Sequence, residues 1–163
     1  MIAPPSQRSV RGFSFVELLV SVAILATLAM VAMPLAEATA KRQKEHELRL
    51  ALQNIRQAID VYRQATQNGN IAMQPGQSGY PPSLLDLTAG VPDIKQQGGK
   101  LLYFLRSIPR DPFYPDSSVS SIDTWAKRCY ASSADSPREG DDIFDVYSRS
   151  SQTGLNGVPY AEW

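Results

Sequence analysis

The sequence has little of what enzymes and metal centres are built from. It holds one cysteine, Cys129, and one histidine, His46, so no intramolecular disulfide can form and no cluster of such metal ligands is available. The cysteine has only that distant histidine as a partner for nucleophilic catalysis, and no Gly-x-Ser-x-Gly motif occurs. The 16 basic and 16 acidic residues balance to a formal net charge of zero. These absences argue against an enzyme and against a nucleic-acid-binding protein.

A long apolar run near the amino end dominates what the sequence does contain. Residues 13–36 are apolar with five exceptions, which are Ser14, Glu17, Ser21, Thr27 and Pro34. At a rise of about 1.5 Å per residue, a helix of this length crosses a hydrocarbon core of about 30 Å. Arg8 and Arg11 precede the run, and basic residues in that position stay on the cytoplasmic side. The run predicts a single membrane-spanning helix with the rest of the chain on the periplasmic, or equivalent outer, side.

One acidic residue, Glu17, lies inside this apolar run at its fifth position. A charge costs about 2.5–3.5 kcal/mol at the centre of a membrane helix, and less near the end of the helix. Pairing with a cation in the same apolar layer offsets that cost. Because no Lys or Arg occurs between Phe13 and Lys41, the cation must come from another chain or from a new amino terminus.

The order of these features carries a resemblance to a known family. A short basic leader ends in Gly12, Phe13 follows, and the apolar run then has Glu17 at its fifth position and Pro34 at its twenty-second. This order resembles the processing signature of the type IV pilin and type II secretion pseudopilin superfamily. The resemblance implies that a prepilin peptidase cuts after Gly12 and methylates the new amine of Phe13. It also implies that Glu17 binds the Phe13 amine of a neighbouring subunit during filament assembly.

The proline inside the apolar run predicts a local irregularity of the helix. Pro34 removes one backbone hydrogen bond and its ring crowds the preceding turn, so we expect a kink or a locally melted turn there. In assembled filaments of the family that this chain resembles, the helix loosens around this proline.

The chain divides into four expected parts: a cleaved leader (1–12), a membrane-spanning and assembly segment (13–36), an amphipathic segment (37–67) and a periplasmic globular head (68–163). The middle two form one helix of about 80 Å. In 37–67 apolar residues recur at spacings of four and three, which predicts one buried stripe. The stripe consists of Leu48, Leu52, Ile55, Ile59 and Tyr62.

The charged residues of the amphipathic segment are expected on a solvated or subunit-facing surface, because both signs are mixed there. They are Lys41, Arg42, Lys44, Glu45, Glu47, Arg49, Arg56 and Arg63. His46 lies among them without a second histidine or a cysteine nearby, so it is not expected to bind metal or to catalyse a reaction. The Asn68-Gly69 pair predicts that the helix ends there, because glycine is favoured just after the last helical residue.

The head is predicted from short segments. Residues 83–90 indicate a short helix, 91–99 a linker, and Trp125–Ser132 and Ile143–Ser150 two strands joined by a polar loop. The tail, 151–163, ends in aromatic residues, and a small antiparallel sheet packed on the stripe would bury them and give an α+β fold of the type IV pilin-like kind. Cys129 is expected to be a buried, small apolar residue of the first strand.

Motifs in the second half extend the resemblance to one branch of the superfamily. The segments SIPRDPF and FDVYS and the late Trp163 resemble the head of the major pseudopilin of type II secretion systems. Many type IV pilins close their C-terminal region with a disulfide, whereas major pseudopilins generally lack one. The single cysteine of this sequence therefore fits the pseudopilin branch.

One departure from that branch concerns calcium. Major pseudopilins commonly bind it through aspartates after the FDVYS-like strand, but here that loop, RSSQTGLNG, has no carboxylate. Acidic residues one loop earlier are weak calcium candidates, and a solvated turn is the favoured interpretation, so no cofactor is expected. The candidates are Asp141, Asp142 and Asp145, with Asp135 and Glu139 close by in the sequence.

These observations predict a structural subunit, not an enzyme, of a periplasmic helical filament that drives protein secretion by a type II system. The expected partners are other copies of the chain, minor pseudopilins, the prepilin peptidase, the inner-membrane assembly platform and membrane lipid. The precursor is expected to be a single-pass inner-membrane protein with a cytoplasmic N-terminus. Two alternatives stay open: a subunit of a surface type IV pilus or DNA-uptake pilus, and a soluble periplasmic binding protein that signal peptidase releases after Ala40.

Overall fold

The computed structural model describes residues 12–96 and 98–163. The chain divides into two compact units, Met1–Lys41 and Arg42–Trp163. The predicted leader, apart from Gly12, lies outside the described residues. The fold is α+β, as the sequence predicts: a long N-terminal helix precedes short helices and two small antiparallel sheets.

The helix α1 runs from Phe15 to Gln67. In the first unit the large apolar side chains that the structure describes are exposed, and among the described residues the most apolar window has a mean hydropathy of 2.4 with none of them buried. By length and composition α1 is able to cross a membrane. Two polar side chains of this part bond to their own backbone: the Ser21 hydroxyl donates to the Glu17 carbonyl at 2.7 Å, and that of Thr27 to the Ile24 carbonyl at 2.8 Å.

Pro34 lies inside α1, and the helix continues on both sides of it. The Thr39 hydroxyl, one turn later, donates to the carbonyl of Leu35 at 2.8 Å. The kink or locally melted turn expected at Pro34, like the loosening of the helix in an assembled filament, stays a prediction.

In the second unit, α1 carries the predicted buried stripe. Leu48 and Ile55 are fully buried, and Leu52, Ile59 and Tyr62 are at most 7% exposed. The helix ends where Asn68-Gly69 predicts. Gly69 has a φ of 71°, its N–H donates to the Thr66 carbonyl, and the Asn70 N–H donates to the Ala65 carbonyl, both at 2.9 Å. This pair of hydrogen bonds is a Schellman motif, which satisfies carbonyls that the last turn leaves open.

The first sheet is a small hairpin that the sequence analysis missed. A short helix, α2, spans Asp86–Ala89 within the predicted segment and is followed by Gly90, whose φ is 88°. β1 (Val91–Pro92) then pairs antiparallel with β2 (Leu101–Leu102), where a plain linker was expected. Two-residue strands are too short to show the alternation of apolar and polar residues that predicts a strand. The proline in β1, Pro92, also argues against a strand in the sequence.

The second sheet pairs the two strands that the sequence predicts. β3 (Trp125–Arg128) lies antiparallel to β4 (Asp145–Ser148), with Trp125 opposite Ser148. Both strands are half as long as predicted. After β3 the Cys129 N–H donates to the Arg138 carbonyl at 2.9 Å. Hydrogen bonds within the loop therefore replace those between the two strands.

The prediction for Cys129 is wrong in two respects. The residue follows β3 instead of lying within it, and it is half-buried. The prediction that the sheet and the stripe bury the aromatic side chains of the tail is confirmed for Tyr160, which is fully buried in one core with Leu48, Ile55 and Trp125 of β3, whereas Trp163 is half-buried.

Candidate functional site

The expected processing site is accessible in the described part of the chain. Gly12, Phe13 and Ser14 precede α1 without regular structure and are exposed, Phe13 by 77%. The N–H of Leu18 donates to the Ser14 carbonyl at 3.1 Å, so helical bonding starts directly after this segment. The Gly12–Phe13 peptide bond, where cleavage is expected, therefore joins two exposed residues outside regular secondary structure.

Glu17 lies in the first turn of α1 and is exposed. A carboxylate at this end of a helix is favoured by the helix dipole, which is positive there. Within the described residues, no cation forms an ion pair with it. The role of Glu17 in subunit assembly stays a prediction, since the neighbouring chain that would supply the amine is a separate molecule.

The three weak calcium candidates have different surroundings. Asp145 forms ion pairs with Arg56 at 2.8 Å and with Arg128 at 3.4 Å. Asp142 accepts the N–H of Tyr130 at 2.8 Å, and Asp141 is exposed. Among the residues that the structure describes, no group of three or more His, Cys, Asp or Glu is arranged to hold a metal ion. Two guanidinium groups on Asp145 compete directly with any cation for its oxygens.

Glu45 departs most clearly from the surface position that its charge predicts. It was expected on a solvated or subunit-facing surface, but it is only 7% exposed. Its carboxylate accepts the Leu155 N–H at 2.7 Å and the Tyr160 hydroxyl at 2.9 Å. A signal was available: Glu45 lies three residues before Leu48 and so extends the spacing of the buried stripe by one step. Through these two hydrogen bonds the Glu45 carboxylate holds the C-terminal segment against α1.

The ionisation of Tyr160 is shifted by this site. Burial, then the hydrogen bond to Glu45 and its negative charge, raise the pKa of Tyr160 from 10.0 to about 12. Burial, followed by the charge of Asp86, also raises the pKa of Tyr62. Both hydroxyls therefore stay protonated over the neutral range.

We expect this shift to make the head sensitive to alkali. Because the folded pKa of Tyr160 lies above the unfolded value, its contribution to the free energy of unfolding is complete below pH 10.0 and is lost as the pH rises toward about 12. Tyr160→Phe should lower the free energy of unfolding at neutral pH. In this variant the free energy of unfolding should then fall less than in the wild type between neutral pH and about pH 11. Denaturant unfolding followed by circular dichroism measures both, with the exposed Tyr103→Phe as control. An unchanged alkaline loss in Tyr160→Phe would contradict the assignment.

Arg56 joins three parts of the head. In addition to its ion pair with Asp145, its guanidinium donates to the carbonyl oxygens of Val146 at 3.1 Å and Trp163 at 2.7 Å. Arg49, two turns earlier, lies 4.4 Å from the centre of the Trp163 ring. The expectation that these arginines belong to a solvated or subunit-facing surface is therefore wrong in part, since both contact the C-terminal segment.

The two motifs of the head meet at a buried hydrogen bond. Asp111 of the Asp-Pro-Phe motif is fully buried and accepts the Ser148 hydroxyl of the Asp-Val-Tyr-Ser motif at 2.6 Å. Its other oxygen accepts the Phe113 N–H at 2.8 Å, and its own N–H donates to the Thr124 hydroxyl at 3.2 Å. Both motifs are visible in the sequence, but the contact between them is not.

Comparison with known proteins adds one finding at the amino end. Residues 7–33 match a family described as the prokaryotic N-terminal methylation motif. Comparisons with the curated proteins and with the solved structures gave no match. The matched segment contains Gly12, Phe13 and Glu17 and the first part of α1. Proteins with this motif are structural subunits rather than enzymes, and the match supports a type IV pilin-like protein of the pilus or pseudopilus type.

Proposed function

We propose that this protein is a pseudopilin, a structural subunit of a periplasmic helical filament that drives protein secretion by a type II system. One observation carries the proposal: a segment with the N-terminal methylation motif forms a helix whose large apolar side chains, where the structure describes them, are exposed. Such a surface needs either lipid or other copies of the same helix around it. Membrane insertion before assembly and helix packing afterwards supply these two surroundings in turn.

The proposed sequence of events starts in the inner membrane with the N-terminus on the cytoplasmic side. The prepilin peptidase cuts after Gly12 and methylates the amine of Phe13, and an assembly platform moves the subunit from lipid into the filament. There the Glu17 carboxylate pairs with the Phe13 amine of a neighbouring copy. Minor pseudopilins are the expected partners at the filament end.

The head supports the pseudopilin branch over a surface pilus. The hydrogen bond between Asp111 and Ser148 makes the Asp-Pro-Phe and Asp-Val-Tyr-Ser motifs parts of one buried site, and both motifs resemble the major pseudopilin. The only cysteine, Cys129, is free. Deleting the gene in its host should abolish export of secreted proteins through the outer membrane. Normal export together with lost twitching or DNA uptake would favour a pilus instead.

The mature N-terminus provides the most direct test of the processing step. Mass spectrometry of the protein from its host should find a chain that begins with methylated Phe13. Gly12→Val should trap the precursor, because a branched side chain next to the cleaved bond blocks the peptidase, while Ser9→Val in the leader should be processed normally. A mature chain that begins at Lys41 would mean signal-peptidase release, and efficient processing of Gly12→Val would contradict the peptidase assignment.

A further inference from the structure

The second unit contains a groove that the proposed function does not use. It lies beside Tyr62 and Thr66 near the end of α1, and its other walls are the segment 71–82, β1 and the loop 129–142. Its volume is about 770 Å³, within the range of sites that bind ligands. Every described residue that lines it belongs to the unit Arg42–Trp163, so it is independent of the N-terminal motif.

The walls of the groove expose large apolar side chains. Met73 is 54% exposed, Tyr130 58% and Ile94 60%, and all three line the same concave surface. Val91 and Pro92 of β1 add further apolar area. Apolar residues that are scattered singly over a surface need no explanation, but a concave cluster of them indicates a place where an apolar group is received.

The groove carries more negative than positive charge. Asp141 and Asp142 line it, and among the described lining residues there is no Lys, Arg or His. Within the described part of the chain the Asp141 carboxylate has neither a hydrogen bond nor an ion pair, whereas Asp142 accepts the Tyr130 N–H. Arg63 lies at the groove wall, because its guanidinium donates to the Ser78 carbonyl and lies 5.0 Å from the centre of the Tyr80 ring, and both of these residues line the groove. Two lining carboxylates thus stand against one guanidinium that is already engaged, and the groove favours a positively charged occupant.

Hydrogen bonds and close packing hold the walls in place. The Ile143 N–H donates to the Pro81 carbonyl at 2.8 Å, and the Cys129 N–H donates to the Arg138 carbonyl at 2.9 Å. Gly140 allows the loop to fold back, since a Cβ there would lie 2.9 Å from the Cys129 Cβ. A groove that exists before binding loses less conformational entropy when it is filled.

We propose that this groove is a docking site for another protein, which inserts a lysine or arginine side chain from an extended segment with apolar neighbours. Lysine and arginine combine an apolar stem with a cationic end, and this combination matches an apolar wall that leads to two carboxylates. The ring of Tyr130 adds a π-face that attracts a cation. The opposite arrangement, an acidic segment, would bring like charges together at Asp141 and Asp142.

The test uses the full-length, isotope-labelled protein in detergent micelles and two capped peptides. One peptide is Gly-Leu-Lys-Leu-Gly, and its twin has glutamate in place of lysine. NMR titration with the lysine peptide should shift the amide signals of Tyr130, Asp141 and Ile94, and the glutamate twin should leave them unchanged. Affinity should fall as salt is raised, because exposed charges are screened.

A matched pair of variants separates charge from fold. Asp141→Asn combined with Asp142→Asn keeps an acceptor for the Tyr130 N–H and should weaken the lysine peptide about fivefold. Asp123→Asn, at the far end of β3, removes an exposed charge and should change nothing.

Three results would overturn the proposal. The first is equal binding of both peptides, or none by the lysine peptide. The second is calcium chloride alone reproducing the same shifts, which would make the groove a metal site. The third is the same signals shifting with protein concentration alone, which would assign the groove to a second copy of this chain.

Discussion

Glu17→Ala should abolish filament assembly while leaving membrane insertion and N-terminal processing intact. The carboxylate is the only charge between Phe13 and Ala36, and no cation within the described residues pairs with it. In the proposed filament it neutralises the Phe13 amine of the next subunit in an apolar layer. Removing one partner of a buried ion pair costs about 3–5 kcal/mol, because the other charge is left uncompensated. Since about 1.4 kcal/mol changes an equilibrium constant tenfold, each subunit contact should weaken more than a hundredfold.

The measurement is the yield of sheared or sedimented filaments, together with mass spectrometry of the membrane fraction. Glu37→Ala is the matched control, because Glu37 is an exposed acid of the same helix that lies beyond the apolar segment. It should assemble normally. Filament yield at the wild-type level from the Glu17 variant would rule out the pairing and leave helix packing alone to drive assembly.

Asp111→Ala should strongly destabilise the head. It removes the acceptor of the Ser148 hydroxyl and of the Phe113 N–H, and Asp111 is fully buried. Each buried donor left without a partner costs about 1–3 kcal/mol, so the free energy of unfolding should fall by about 2–6 kcal/mol. Because domains of this size are stable by about 5–15 kcal/mol, a large share of the total would be lost.

Denaturant unfolding of the full-length protein in detergent measures this loss, with the fluorescence of the buried Trp125 as a reporter. The indole N–H of Trp125 donates to the Pro109 carbonyl at 2.8 Å, so it reports on the same turn. Asp123→Ala removes an exposed acid from the neighbouring 3₁₀ helix, Ser121–Thr124, and should change stability little. A similar small effect of Asp111→Ala would mean that water or a rearranged turn satisfies both donors.

The features that the sequence predicts well are those with a local cause. The stripe from Leu48 to Tyr62 follows from helical spacing, and the helix end at Gly69 follows from the need for a left-handed residue in a Schellman motif. The pairing of β3 with β4 also follows from strands joined by a polar turn. In each case a short window of sequence contains the physical reason for the structure.

The features that the sequence analysis missed depend on partners that are distant in the chain. Glu45 is buried because Tyr160 and Leu155 supply donors more than a hundred residues later. Asp111 is buried because Ser148 reaches it from β4. Charged residues are normally assigned to the surface because burial without partners is costly, and the partners become visible only in the fold. The β1–β2 hairpin was missed for another reason, since two-residue strands leave no periodic pattern.

The hydroxyl groups of the apolar half of α1 have a consequence for how that segment changes surroundings. Ser21 and Thr27 already donate to carbonyls of their own helix. Passing from lipid tails into a bundle of neighbouring helices therefore requires no exchange of their hydrogen-bond partners. With that cost absent, the preference of the segment for one medium over the other depends on side-chain shape and on the single acid at position 17. In the proposed assembly, the pairing of that acid with a Phe13 amine is then the main polar change when a subunit passes from the bilayer into the filament.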